Sequence, residues 1–210
     1  MSTKRLMMGG KAVEVDDYIA YIERTIKSYS DDELDSVETD GFYSCEKLES
    51  IYLPACTTIG EQSFQYCWNL KTISLPMCSS IGDNAFTYCS LVSVSLPMCI
   101  NVGRSAFSSC ASLTSVSLPI ATSIGHFYND KSLGYLYVPK CTQIKNYAFQ
   151  GCSKLTSIDL PECVNVETNA FYGSGFTEIH FATANQTTIE ALAGYSSKFG
   201  ATNATIYFDL

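Results

Sequence analysis

Six prolines set the period of this chain. Pro54, Pro76, Pro97, Pro119, Pro139 and Pro161 stand 22, 21, 22, 20 and 22 residues apart in a sequence of 210 residues. Each closes the same apolar skeleton: Leu48-x-x-Ile51-x-Leu53, Leu70-x-x-Ile73-x-Leu75, Leu91-x-x-Val94-x-Leu96, Leu113-x-x-Val116-x-Leu118, Leu133-x-x-Leu136-x-Val138 and Leu155-x-x-Ile158-x-Leu160. A fixed period of this length implies stacked coils with one continuous core, because a unit this short cannot bury its apolar face alone. A hydrophobic content of 46% supplies that core and excludes a disordered chain.

Alternation along the skeleton turns Ile73 and Leu75 inward and Thr72 and Ser74 outward. Proline then ends the strand by removing a ladder donor. The second half of the unit, Ile-Gly-x-x-Ala-Phe-x-x-Cys, places Phe64, Phe86, Phe107, Phe149 and Phe171 at one equivalent position, which predicts a buried aromatic row. After Pro119 the segment Ser123–Leu133 lacks the Ala-Phe-x-x-Cys string and two residues of length. Repeat decay accounts for this. The competing reading opens that coil and exposes His126, Tyr128 and Asp130.

Both ends differ from the middle, as the ends of a stacked array must. Residues 1–28 read as an N-terminal capping segment whose short helix starts at Asp16 or Asp17 and carries Ile19, Ile22 and Ile26 on one side. Residues 29–181 form the array, beginning with a worn unit around Val37, Phe42 and Cys45. Residues 182–210 read as a C-terminal cap, with a helix over Thr187 to Ala193 stopped by Gly194 and a last strand over Ala204 to Phe208.

The string L-x-x-I-x-L-P-x-C-x-x-I-G-x-x-A-F-x-x-C resembles the consensus of the BspA-like leucine-rich repeats over most of the chain. The resemblance implies an α/β repeat solenoid, a horseshoe with one parallel sheet on its concave face and about 20–22 residues per coil. It also implies a cell-surface or secreted bacterial protein of adhesin type, which binds host proteins or other cells.

Little else in the sequence points to chemistry. A formal charge of −8 repels phosphate backbones and anionic lipid, so a nucleic-acid partner is not expected. No apolar run reaches the roughly 20 residues of a membrane helix, so membrane insertion is not expected either. No secretory signal is visible, since the apolar run after Lys4 and Arg5 stops at Met8. All ten cysteines fall in two columns, two residues after proline or three after the aromatic; with no C-x-x-C they read as small core residues, not as metal ligands or disulfides. The acidic run Asp31, Asp32, Glu33, Asp35, Glu38 and Asp40 lacks the order of a calcium loop. His126 and His180 are the only histidines, and no catalytic or phosphate-loop motif occurs. The expectation is a non-enzyme without cofactor or metal.

The outward strand positions carry the binding expectation. From coil to coil they are Ser50 and Tyr52, Thr72 and Ser74, Ser93 and Ser95, Ser115 and Ser117, Tyr135 and Tyr137, Ser157 and Asp159, then Glu178 and His180. Tyrosine offers rigid apolar area with a polar tip, so Tyr52, Tyr135, Tyr137, Asp159, Glu178 and His180 are the candidate site. The expected function is recognition or adhesion, by a monomer or weak oligomer, toward a protein or glycan partner. The alternatives are a phage- or envelope-associated structural or assembly subunit without a separate ligand and, remotely, a hydrolase with a Cys–His site.

Overall fold

The computed structural model describes residues 5–8, 11–14, 25–125, 127–192, 199–200 and 203–210. From Thr25 onward the chain winds into seven coils, each with one longer strand and one two-residue strand. The longer strands are Ser28–Ser30, Ser50–Tyr52, Thr72–Ser74, Ser93–Ser95, Ser115–Ser117, Tyr135–Tyr137 and Ser157–Leu160 for coils 1 to 7. The short ones are Ser36–Val37, Thr58–Ile59, Ser80–Ile81, Asn101–Val102, Ser123–Ile124, Gln143–Ile144 and Asn165–Val166. Strands of each kind pair in parallel with their equivalents within runs of three or four coils, so each coil contributes to two faces.

This corrects the expected α/β horseshoe with a single sheet. Among the described residues the helical content is a 3-10 turn, Thr183–Asn185, and a five-residue α-helix, Gln186–Glu190. Horseshoe curvature needs one side wider than the other, as when helices packed about 8–10 Å apart back a sheet spaced at about 4.8 Å. Here both sides are ladders, and the core rings between them repeat every 4.9–6.2 Å. The molecule is a parallel β-solenoid of leucine-rich-repeat type.

The core is a single cluster running the length of the stack. Its spine is Phe42, Phe64, Phe86, Phe107, Phe127, Phe149 and Phe171, with neighbouring ring planes within 9° of parallel. Phe127 stands in the row although its coil has lost two residues before the ring. The decayed coil therefore keeps its core aromatic, and Asp130 is wholly buried there while Tyr128 is exposed. His126, the third residue of the open-coil reading, lies outside the described residues.

The Ile-Gly pair of the motif has a steric cause. A Cβ on Gly82 would lie 2.6 Å from backbone atoms of the preceding coil, and one on Gly103 only 2.4 Å from the Gly82 carbonyl carbon. Only hydrogen fits where coils touch there. The turns after this pair hold two columns of left-handed residues, two before the core Phe and two after it, Asn84 and Tyr88 being one such pair. Their amides bond the next coil, as in Asn84 N–H to the Arg104 carbonyl at 2.9 Å and Tyr88 N–H to the Ser108 carbonyl at 3.1 Å.

At the C-terminus the expected last strand and short helix are present, whereas the described part of the N-terminus differs from the expectation. The last strand, Thr205–Phe208, adds in parallel to Glu178–Phe181, with Phe208 stacked on Phe181 at 5.9 Å. The helix over Thr187 to Ala193 is found as Gln186–Glu190, and Ala193 and Gly194 lie outside the described residues. At the N-terminus Arg5–Met8 and Lys11–Glu14 pair antiparallel, an element the sequence reading did not anticipate. Residues 15–24, which carry most of the expected capping helix, lie outside the described residues.

Candidate binding face

Within the longer strands, side chains alternate between core and solvent. Buried Leu136 and Val138 alternate with Tyr135, 57% exposed, and Tyr137, 45% exposed. In the next coil Ile158 and Leu160 are buried, and Ser157 and Asp159 face outward. The outward residues can therefore change without opening the core.

The ladder of longer strands is not continuous. It divides into coils 1 to 3, coils 4 to 6, and coil 7 with the two strands that follow it. The first break coincides with a turn one residue short, Cys89 to Leu91 against Cys67 to Leu70. The second falls between Tyr135–Tyr137 and Ser157–Leu160, and there the chain forms a cleft of about 430 Å³. Tyr135, Tyr137, Pro139, Ser157, Asp159 and Leu210 are among the residues that line it. Where a parallel ladder is interrupted, strand amides and carbonyls turn toward the gap and seek other partners. The cleft thus combines tyrosine surface and a carboxylate beside the ladder break.

Three of the six predicted residues, Tyr135, Tyr137 and Asp159, meet at this cleft. Glu178 and His180 lie one strand further on, where register sets Ser157 beside Glu178 and Asp159 beside His180. The His180 ring is held on three sides: Nδ1 lies 2.9 Å from Asp209 Oδ1, Nε2 lies 3.8 Å from Glu178 Oε2, and the ring stacks on Tyr207 at 4.7 Å. Tyr52 stands apart in coil 2, four strand spacings or about 19 Å from the coil of Tyr135. Sequence reasoning missed Tyr207, Asp209 and Leu210. Applying the two-residue alternation to the last strand would have set Tyr207 beside His180, but the entry of Leu210 into the cleft has no sequence signal.

The cysteines have a structural use. All ten are buried thiols. In the proline-linked column the Sγ–H donates to the carbonyl two residues on, as from Cys56 to Thr58 at 3.3 Å and from Cys141 to Gln143 at 3.2 Å. In the other column Cys67, Cys89, Cys110 and Cys152 donate to the core Phe carbonyl of the preceding coil, as from Cys89 to Phe64 at 3.2 Å and from Cys152 to Phe127 at 2.8 Å. Burial pushes the Cys99 and Cys141 thiols up to about 11 and those of Cys78 and Cys163 up to about 12. A cysteine nucleophile needs the opposite shift, toward thiolate at neutral pH. Among the described residues no group of His, Cys, Asp and Glu has the geometry to hold a metal ion.

The sequence pattern of the BspA-type leucine-rich repeat region matches this chain in six copies, over residues 35–126 and 122–200. Similar solved structures include a leucine-rich repeat protein of Treponema pallidum, 26% identical, with 61% of this chain and 78% of that one covered and a TM-score of 0.46. A leucine-rich cell surface protein of Faecalibacterium prausnitzii is 14% identical, with coverage of 99% and 86% and a TM-score of 0.34. A pneumococcal vaccine antigen, PcpA, is 14% identical, with coverage of 100% and 88% and a TM-score of 0.31. No curated protein matches the chain.

Proposed function

The chain belongs to the BspA-type leucine-rich repeat family, and from that premise we propose that it is a non-enzymatic recognition module whose longer-strand face binds a protein or glycan partner. The observation that carries this reading is the cleft at the ladder break between coils 6 and 7. Two tyrosines and Asp159 line it, and the strands on either side of it are not paired with each other. Tyrosines of this kind are frequent energetic anchors of interfaces, and hydroxyls and backbone groups around them suit an extended peptide or a sugar chain. The buried thiols and the engaged His180 give no nucleophile and base pair among the described residues, which favours binding over hydrolysis.

The test compares the intact chain with a Tyr135→Ala, Tyr137→Ala double variant, using a partner captured by pull-down or glycan array. Both side chains are about half exposed, so thermal melting should stay unchanged. Loss of the two anchors should weaken the partner by a factor of about 30, the equivalent of about 2 kcal/mol. Equal affinity in the double variant would remove the cleft from the account.

A further inference from the structure

On the turn edge of coils 1 to 3, away from the strand cleft, four aromatic rings form one cluster. Tyr43 meets Tyr66 edge-on at 5.5 Å, Tyr66 stacks on Tyr88 at 5.1 Å, and Trp68 leans on both, at 5.5 and 5.3 Å. The core does not account for it, because the Phe row already fills the interior of the same coils. Tyr43, Trp68 and Tyr88 remain 43%, 47% and 37% exposed.

The backbone makes the cluster harder to explain as ordinary turn chemistry. Tyr66 and Tyr88 both sit at φ 63°, in the left-handed region that bulky residues avoid. The equivalent residues of the other coils are Ser44, Ser109, Asn129, Gly151 and Gly173, types that tolerate this conformation better. Aromatic residues held at a conformational cost where the repeat otherwise uses small polar ones point to a use outside folding.

Charge indicates the partner. Ten Asp and Glu against three Lys lie between residues 25 and 90, so seven of the chain's eight net negative charges are in these coils. Glu38, Asp40, Glu46 and Glu61 are exposed there and form no ion pair among the described residues. Two of them sit on the backbone of the same turns: the Tyr43 amide donates to the Asp40 carbonyl at 3.1 Å, and the Asp40 amide to the Glu61 carbonyl at 3.0 Å. Glu46 holds in coil 1 the place that Trp68 holds in coil 2. Beyond Tyr88 the column continues with Ser109, which has no ring to cover the outer face of the stack. Guanidinium groups stack flat on such faces while their N–H groups bond carboxylates, which ammonium groups do less well.

We propose that this turn edge is a second recognition surface, in which Tyr43, Tyr66, Trp68 and Tyr88 with the neighbouring carboxylates take an arginine-rich segment of a protein partner. Trp68 is the only tryptophan of the chain, so its emission reports directly on the surface. The experiment titrates the full chain with a nine-residue arginine peptide and with a lysine peptide of equal charge, following Trp68 fluorescence and peptide anisotropy. The arginine peptide should shift the Trp68 emission saturably and bind about tenfold tighter than the lysine peptide. A Tyr66→Ser, Tyr88→Ser variant, using the residue native to this column in coils 1 and 4, should lose that preference without a lower melting temperature. An Asp40→Asn, Glu46→Gln, Glu61→Gln variant keeps the rings and should weaken both peptides. Equal binding of the two peptides, or unchanged arginine affinity in the serine variant, would overturn the proposal. Loss of binding in the Tyr135→Ala, Tyr137→Ala variant would also overturn it, by placing the peptide on the strand face.

Discussion

Asp130 occupies in coil 5 the place, three residues after the core Phe, where five other coils keep a cysteine and coil 7 has Ser174. It is wholly buried; Oδ1 accepts the Cys110 amide at 2.7 Å, and Oδ2 has no hydrogen-bond partner among the described residues. Burial pushes its carboxyl well above the usual carboxylate range, against the smaller pull of the Cys110 amide. The titratable groups facing it from the adjacent coils are the thiols of Cys110 and Cys152, both raised chiefly by burial and secondarily by Asp130. A protonated Asp130 carries an O–H donor where coil 7 carries the Ser174 hydroxyl and the other coils an S–H. An acid whose folded value is raised contributes stability that is complete below its unfolded value of about 4 and is lost as pH rises through the folded one. The melting temperature of the natural chain should therefore fall from about pH 4 upward, and that fall should be smaller in Asp130→Asn. Measurements kept below about pH 8 leave the thiols out of the balance. Identical slopes in the two proteins would show that Asp130 titrates normally.

At the scale of the strands and turns, close coil contact at the Ile-Gly pair explains why the motif is strict there. Gly82→Ala should push coils 2 and 3 apart, since its Cβ would meet Glu61 backbone at 2.6 Å, and cost about 1–3 kcal/mol in denaturant unfolding. A variant as stable as the natural chain would mean that the coils separate easily. The longer strands were legible because their alternation repeats six times around proline. The short strands were not, because two residues such as Ser80 and Ile81 cannot display a period of two. Phe127 was missed for a related reason: matching on Ala-Phe-x-x-Cys discards a coil that keeps the ring but loses Ala and Cys. Expecting helices on the second side followed the general architecture of leucine-rich repeats, whereas left-handed turns at Asn84 and Tyr88 leave no length for a helix. The strand face carrying Tyr135 and Tyr137 could be read from alternation; the ladder break beside it could not, because the repeat is regular from Leu133 to Pro161.

For the whole molecule, a stack with one continuous core depends on covered ends. The last strand covers the Glu178–Phe181 edge, and Phe199 meets Phe171 edge-on at 6.4 Å. Deleting residues 199–210 should bare both, giving aggregation or a broad, non-cooperative melt, whereas an equally stable monomer would show that coil 7 closes the array unaided. The same deletion removes Leu210 from the cleft, so it cannot serve as a clean test of binding. Hydrogen–deuterium exchange of the intact chain, with and without a captured partner, addresses the proposed function most directly. Protection should concentrate in Tyr135–Tyr137 and Ser157–Leu160 on either side of the ladder break. Protection absent from both strands would contradict that function.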